Sequence, residues 1–255
     1  MQSDIDSNIK TAYDGFYENH DDAWRMLGAR YKAQNIADVC KGREFKKILE
    51  VGAGDGSILF FLGKWNFAPE MHALELSKSG VEQIKSRNIA KLHSVQEFDG
   101  YHIPFGDDEF DLVILSHVLE HVEFERILLR ELKRVSKYQV IEVPRDYKFG
   151  MDKKTKHFLN YGHINMYTPS SLRFLLKTEG LEILSDKISM IAPEVTKFNT
   201  FVNQKKKKSA FKSFKIDLEF GVKKLLSNIA GQKKKEEFAN AYTVLTHKTS
   251  TLKIF

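Results

Sequence analysis

The twelve residues from Lys46 to Ser57, KKILEVGAGDGS, decide how the rest of the chain reads. Ile48 to Val51 form a short apolar run of the kind that makes a buried strand, and SILFFLGKW behind the turn has the spacing of a helix. Between them stand Gly52, Gly54 and Gly56. Glycine at every second position lets the backbone come close to a ligand with no Cβ in the way, and it aims N–H groups at the helix start. Such a turn suits a nucleotide-type group. A dinucleotide fingerprint would need a glycine where Ser57 stands, and the Gly-Lys-Ser/Thr ending of a P-loop is missing.

Working outward, MHALELS predicts a second strand ending at Glu75, where a carboxylate can accept both hydroxyls of an unphosphorylated ribose. KSGVEQIKSR predicts a helix, AKLHSVQ and EFDLVILS two strands, Glu123 to Val135 a helix, and YQVIEVP a strand stopped by its proline. Strands alternating with helices imply a mainly parallel sheet. Residues 145 to 166 read as loop, followed by the helix TPSSLRFLLKTEG and the strands LEILSDKIS and AYTVLTHK. Residues 192 to 238 interrupt that pattern as an insertion, where Phe211, Phe214, Leu218, Leu225 and Ile229 fall near one helical face. Before the first strand, apolar residues from Ile9 to Val39 recur at helical spacing and predict two helices broken near Asn19 to Asp22.

The 255 residues therefore read as one domain with an amino-terminal helical cap over 1–42 and a basic helical insertion over 192–238. Hydrophobic residues make up 42% and charged residues 29%, and no apolar run is long enough to cross a bilayer. The polar start MQSDIDSNIK lacks the pattern of a secretory signal, so a cytoplasmic location is expected. Cys40, the only cysteine, can form no internal disulfide and reads as a small hydrophobe on a helix. Positive charge is concentrated late: residues 191–255 hold 14 Lys against 5 Asp and Glu. A nucleic-acid enzyme would spread that charge around its substrate channel, so nucleic acid is disfavoured as a partner.

Glu50-x-Gly52-x-Gly54-x-Gly56, the strand-end Glu75 and DGYHIPFGDDEFDLVILSHVLEHV together resemble class I S-adenosylmethionine-dependent methyltransferases of the small-molecule type, over about residues 12–190 and again at AYTVLTHK. The resemblance implies a Rossmann-like α/β fold, a seven-stranded mainly parallel sheet of order 3-2-1-4-5-7-6. It also implies that strand 7 is antiparallel and that helices cover both faces. It implies S-adenosyl-L-methionine as cofactor and S-adenosyl-L-homocysteine as product. By matching position, Glu50 would anchor the methionine amino end, with Gly52, Ala53, Gly54, Asp55 and Gly56 passing beneath it. Glu75 and Leu76 would meet the ribose side, and Asp99 and Phe98 the adenine. Ser116 and His117 follow the fourth strand beside the cofactor, Arg30 is a candidate partner for the methionine carboxylate, and Tyr17 is placed to pack over the cofactor.

Methyl transfer needs an aligned acceptor and, for a hydroxyl, a group to take its proton. His163, in GHINMYTPSSL, resembles the histidine before the late helix in small-molecule members. His121 and Tyr161 are the further catalytic candidates. His117-Val-Leu-Glu120-His121 also spells an inverted zinc-protease pattern, but the same letters occur in family members that need no metal, and none is expected. The expected acceptor is a small molecule, methylated on a hydroxyl or phosphate oxygen of a sugar, nucleotide-linked or lipid-like compound. The alternatives are an RNA or protein methyltransferase docking through the basic insertion, and a non-catalytic regulatory module. Peripheral membrane contact through 205–235 and a monomeric or homodimeric state complete the expectations.

Overall fold

A computed structural model describes residues 22–147, 150–160 and 162–249. Its seven strands are Lys47–Val51 (β1), Glu70–Glu75 (β2), Leu92–Glu97 (β3), Phe110–Ser116 (β4), Ser136–Pro144 (β5), Leu181–Ser189 (β6) and Ala241–Lys248 (β7), in the order β3-β2-β1-β4-β5-β7-β6. The first five strands pair in parallel, while β7 runs antiparallel between β5 and β6. Fold class and strand order are those the resemblance implied.

Side chains of a strand alternate between faces, and this alternation splits the core in two. Leu49, Val51, Val113, Leu115, Ile141 and Val143 face Glu125–Val135 (α4) and Pro169–Thr178 (α6). Ile48, Leu112, Ile114 and Val140 face Asp22–Val39 (α1), Ser57–Lys64 (α2) and Lys78–Ser86 (α3). Both clusters are almost free of exposed atoms, which fits strands that read as continuous apolar runs. The α6 helix begins with a capping box, Thr168 and Ser171 bonding each other's backbone N–H, with Pro169 in its first turn.

Three segments differ from the sequence expectation. The span expected as loop holds a tight turn at Met151–Lys154 and a short helix, Thr155–Asn160 (α5), which end-to-end is too short to show a reliable apolar period. The helix expected from Glu123 starts at Glu125, because Leu119–His121 first makes a separate 3-10 turn. The insertion contains three α-helices, Pro193–Phe198 (α7), Ala210–Ile229 (α8) and Gly231–Phe238 (α9), with a π-helical turn at Asn199–Asn203. Of the two expected amino-terminal helices, α1 is the second; the first lies outside the described residues. Cys40 is buried, in the turn that follows α1 and not on the helix expected for it.

Register does more than close the sheet. It sets Ser116 opposite Glu142 and Glu142 opposite Thr243, a polar rung across three strands at the carboxyl end of β4 and β5. Alternation turns this rung toward α1, on the same side as Glu50 of β1.

Candidate functional site

The turn after β1 has Gly52, Gly54 and Gly56 at φ 70°, 60° and 75°, a region that L side chains rarely adopt. Gly52 also has no room for a side chain, since a Cβ there would lie 2.5 Å from Val118 Cγ2. Val118 precedes the 3-10 turn, so the glycine turn and the segment 118–121 touch. Glu75, buried at the end of β2, accepts from Gly54 N at 2.8 Å through Oε2 and from Ser77 N and Oγ at 3.2 and 3.0 Å through Oε1. Burial pushes its carboxyl above the ordinary value against these bonds. Asp55 accepts from Ser57 N at 3.0 Å and pairs with Arg87 at 2.9 Å, which clamps the start of α2 to the segment after α3.

Glu50 is 1% exposed, and its Oε2 has no hydrogen-bond partner among the described residues. Burial pushes its carboxyl well above the usual range, opposed chiefly by the charge of Lys32. Such a group costs free energy unless a donor reaches it. A cradle of left-handed glycines beside a buried carboxyl group with one oxygen unbonded fits a cofactor carrying an amino group.

Beyond the cradle, Glu142 is fully buried and heavily bonded: it accepts from Asn35 Nδ2 at 3.0 Å, Ser116 Oγ at 3.3 Å and Thr243 Oγ1. His117, with φ 58°, sits between two carboxylates, Nε2 3.2 Å from Glu142 and Nδ1 3.3 Å from Glu120. A left-handed non-glycine residue at a strand end is strained and held by its surroundings. Burial opposes charge on His117, but the two carboxylates win and raise its pKa; burial likewise opposes ionisation of Glu120 and Glu142, and His117 holds both below their ordinary values.

A second pair of imidazoles stands next to this network. His121 Nδ1 donates to Gly162 O at 3.0 Å, and His163 Nδ1 donates to Asp146 Oδ2 at 2.6 Å, with the two rings 4.8 Å apart edge to face. Burial lowers the His121 pKa. The loop bearing His163 is stitched to the 3-10 turn by Ile164 N and Asn165 N, which both donate to Glu120 O, and by Asn165 Nδ2, which donates to Val122 O at 2.6 Å.

The structure therefore brings Glu50, the glycine turn with Ala53, Glu75, Ser116, His117, His121 and His163 to the carboxyl side of the sheet. Leu76 is half-buried and Phe98 buried, with Phe98 N donating to Glu75 O at 3.1 Å. Asp99 is exposed, and its Oδ1 accepts from Tyr101 N and His102 N, shaping its own turn. Arg30 is exposed on α1, whereas Lys32 is half-buried and its charge acts on Glu50, His117 and Glu142. Tyr17 and Tyr161 lie outside the described residues. Sequence reasoning missed Lys32 and Asn35 and could not orient Glu142. A signal for Lys32 existed: residues 25, 29, 32 and 36 share one helical face with buried Ala29 and Ile36, and residue 30 does not.

Comparison with known proteins agrees with this geometry. A family model described as "Methyltransferase domain" matches residues 24–186. YrhH of Bacillus subtilis, which carries a methyltransferase name, is 26% identical over 141 residues, 52% of this chain and 76% of that protein. The demethylmenaquinone methyltransferase of Streptomyces griseus is 29% identical over 137 residues, 51% of this chain but 56% of that protein. The tocopherol O-methyltransferase of Arabidopsis thaliana is 27% identical over 52% of this chain and only 38% of that protein. Among solved structures, magnesium protoporphyrin IX methyltransferase from Synechocystis with bound SAH superposes with a TM-score of 0.59 at 10% identity, covering 95% of this chain and 99% of that one. At that identity the likeness is one of fold.

Proposed function

This chain belongs to the class I S-adenosylmethionine-dependent methyltransferases, and on that premise we propose that it methylates a hydroxyl oxygen of a small, lipid-like acceptor met at an anionic membrane surface. S-adenosylmethionine, when bound, supplies a methyl group on an electrophilic sulfonium sulfur. The residues at the carboxyl side of the sheet divide the remaining work. Glu50 takes the methionine ammonium, which gives its unbonded Oε2 a donor, and Lys32 faces the carboxylate end. Glu75, Leu76 and Phe98 hold the ribose and adenine. The imidazoles of His121 and His163 receive the acceptor oxygen, with Asp146 orienting His163.

The α8 helix carries the choice of acceptor class. Phe211, Phe214, Leu218, Val222, Leu225 and Ile229 recur every three or four residues, and all are exposed, Phe211 at 75% and Ile229 at 74%. A monomeric soluble protein rarely leaves such a continuous apolar stripe to water. Exposed Lys205 to Lys208 precede it, the charge that complements acidic headgroups. No helix among the described residues is long and apolar enough to cross a membrane, so α8 would lie in the interface. Two relatives named for tocopherol and demethylmenaquinone support a lipid-like acceptor.

Co-sedimentation with vesicles tests this. The full chain is expected to sediment with phosphatidylglycerol-containing vesicles and stay in solution with pure phosphatidylcholine. The double variant Phe211→Asp, Phe214→Asp is expected to lose sedimentation while binding S-adenosylhomocysteine as the parent does. Equal sedimentation of parent and variant, or a stable dimer that the variant dissociates, would overturn the membrane reading.

A further inference from the structure

Glu120, His121 and His163 converge beside the glycine turn from two segments forty-odd residues apart. We propose that they bind one divalent transition-metal ion, through the Glu120 carboxylate and Nε2 of the two histidines. One ligand atom from each lies within 4.8 Å of the others. An ion with bonds of about 2.0–2.2 Å to nitrogen and oxygen closes that triangle with small side-chain rotations.

Two independent observations point to a cation. Glu120 is 1% exposed, and neither carboxylate oxygen has a hydrogen-bond partner among the described residues. Two imidazoles pair with it electrostatically, His117 Nδ1 at 3.3 Å and His121 Nε2 at 3.8 Å. The carboxylate is thus held ionised with no hydrogen bond to either oxygen, and coordination would supply the close contact that the ion pairs lack. The second observation is the outer shell. Both histidines donate Nδ1–H to an oxygen, His121 to the Gly162 carbonyl and His163 to the Asp146 carboxylate, which turns Nε2 into the ligand nitrogen. A carboxylate or carbonyl on the far ring nitrogen is the arrangement that orients metal-binding histidines.

Two imidazoles and one carboxylate suit manganese, iron, cobalt or zinc, and suit magnesium or calcium poorly. Three protein ligands leave positions open. The segment that carries two of the ligands touches the cofactor cradle, since Val118 packs on Gly52. The role of the ion rests on the O-methylation reading. An acceptor hydroxyl taking an open position would have its pKa lowered, give its proton to water and keep the oxygen lone pair for attack. The inverted zinc-protease letters are not this site. Its second imidazole is His163, while His117 lies between Glu142 and Glu120.

The test is cobalt(II) titration of the full chain after chelator treatment, followed by visible d–d absorption, with S-adenosylhomocysteine binding measured in parallel by calorimetry. One cobalt per chain is expected, with affinity at least tenfold weaker in Glu120→Gln, His121→Asn and His163→Asn and about tenfold weaker in Asp146→Asn. His93→Asn, an exposed histidine elsewhere, is expected to bind cobalt as the parent does. A chain that binds S-adenosylhomocysteine but takes up no stoichiometric cobalt, or whose cobalt affinity is unchanged in the ligand variants, overturns the site. Cobalt uptake without S-adenosylhomocysteine binding would support the metal site and instead refute the cofactor assignments.

Discussion

Helices α4 and α8 have the same kind of sequence and opposite fates. In α4 the apolar stripe Leu128, Leu129, Leu132 and Val135 is fully buried against the sheet. In α8 the stripe from Phe211 to Ile229 is exposed along its length, and only Ser227 is buried. The difference lies in what each helix connects. As the crossover between the parallel strands β4 and β5, α4 must pack back onto the sheet for the chain to return in register. The strands on either side of α8, β6 and β7, are antiparallel neighbours that a short hairpin could join. Nothing in the sheet requires α8, and it is tied mainly to its neighbours in the insertion, as by Lys197 and Asp217 at 2.6 Å. Periodicity reports an apolar face; topology decides whether the domain itself covers it.

Placing one charge on each stripe tests the contrast most severely. Leu132→Asp buries a carboxylate without a partner and is expected to cost about 4 kcal/mol or more, enough to unfold a marginally stable domain. Leu225→Asp is expected to leave the thermal midpoint within about a degree and to weaken vesicle binding. Equal destabilisation in circular-dichroism melts would show that α8 is covered in solution.

A finer version of the same contrast lies within α1. Lys32→Ala is expected to weaken S-adenosylhomocysteine binding about tenfold, roughly 1.4 kcal/mol, and Arg30→Ala to change it less than twofold. Calorimetry that ranks the two the other way would return the carboxylate contact to Arg30.

The smallest effect is chemical. Burial pushes the Cys40 thiol up to about 12. A raised thiol pKa keeps the neutral form below that value, so at pH 8 only about one molecule in ten thousand is thiolate. Modification by a chromogenic disulfide reagent is expected to be slow in the folded chain, whereas a cysteine introduced by Phe211→Cys on α8 should react at least a hundredfold faster. Fast labelling of native Cys40 would mean that the carboxyl end of α1 opens.

Much of the fold was legible because its signals are local and reinforce one another. KKILEV followed by alternating glycines, the Glu75 strand end and the apolar β4 each state their own conformation, and order along the chain supplied the crossovers. The short α5 and the 3-10 turn at Leu119–His121 were not legible, since neither is long enough to show a period. The site divided along the same line. Glu50, Gly52, Gly54, Gly56 and Glu75 share one βαβ unit, so their spacing brought them together on paper. Glu142 could not be oriented from sequence, because its partners Asn35, Ser116 and Thr243 come from three other elements.

By itself the sequence determined the parallel sheet, the glycine cradle and the acids around it, since apolar period, glycine placement and strand ends depend on neighbours within a few residues. Only the tertiary structure decided which histidine meets His121, which side chains bond Glu142, and that the stripe of α8 stays open. Those outcomes depend on register across β4, β5 and β7 and on the path of the loop after α5. They are distances between residues far apart in the chain, and no local pattern encodes them.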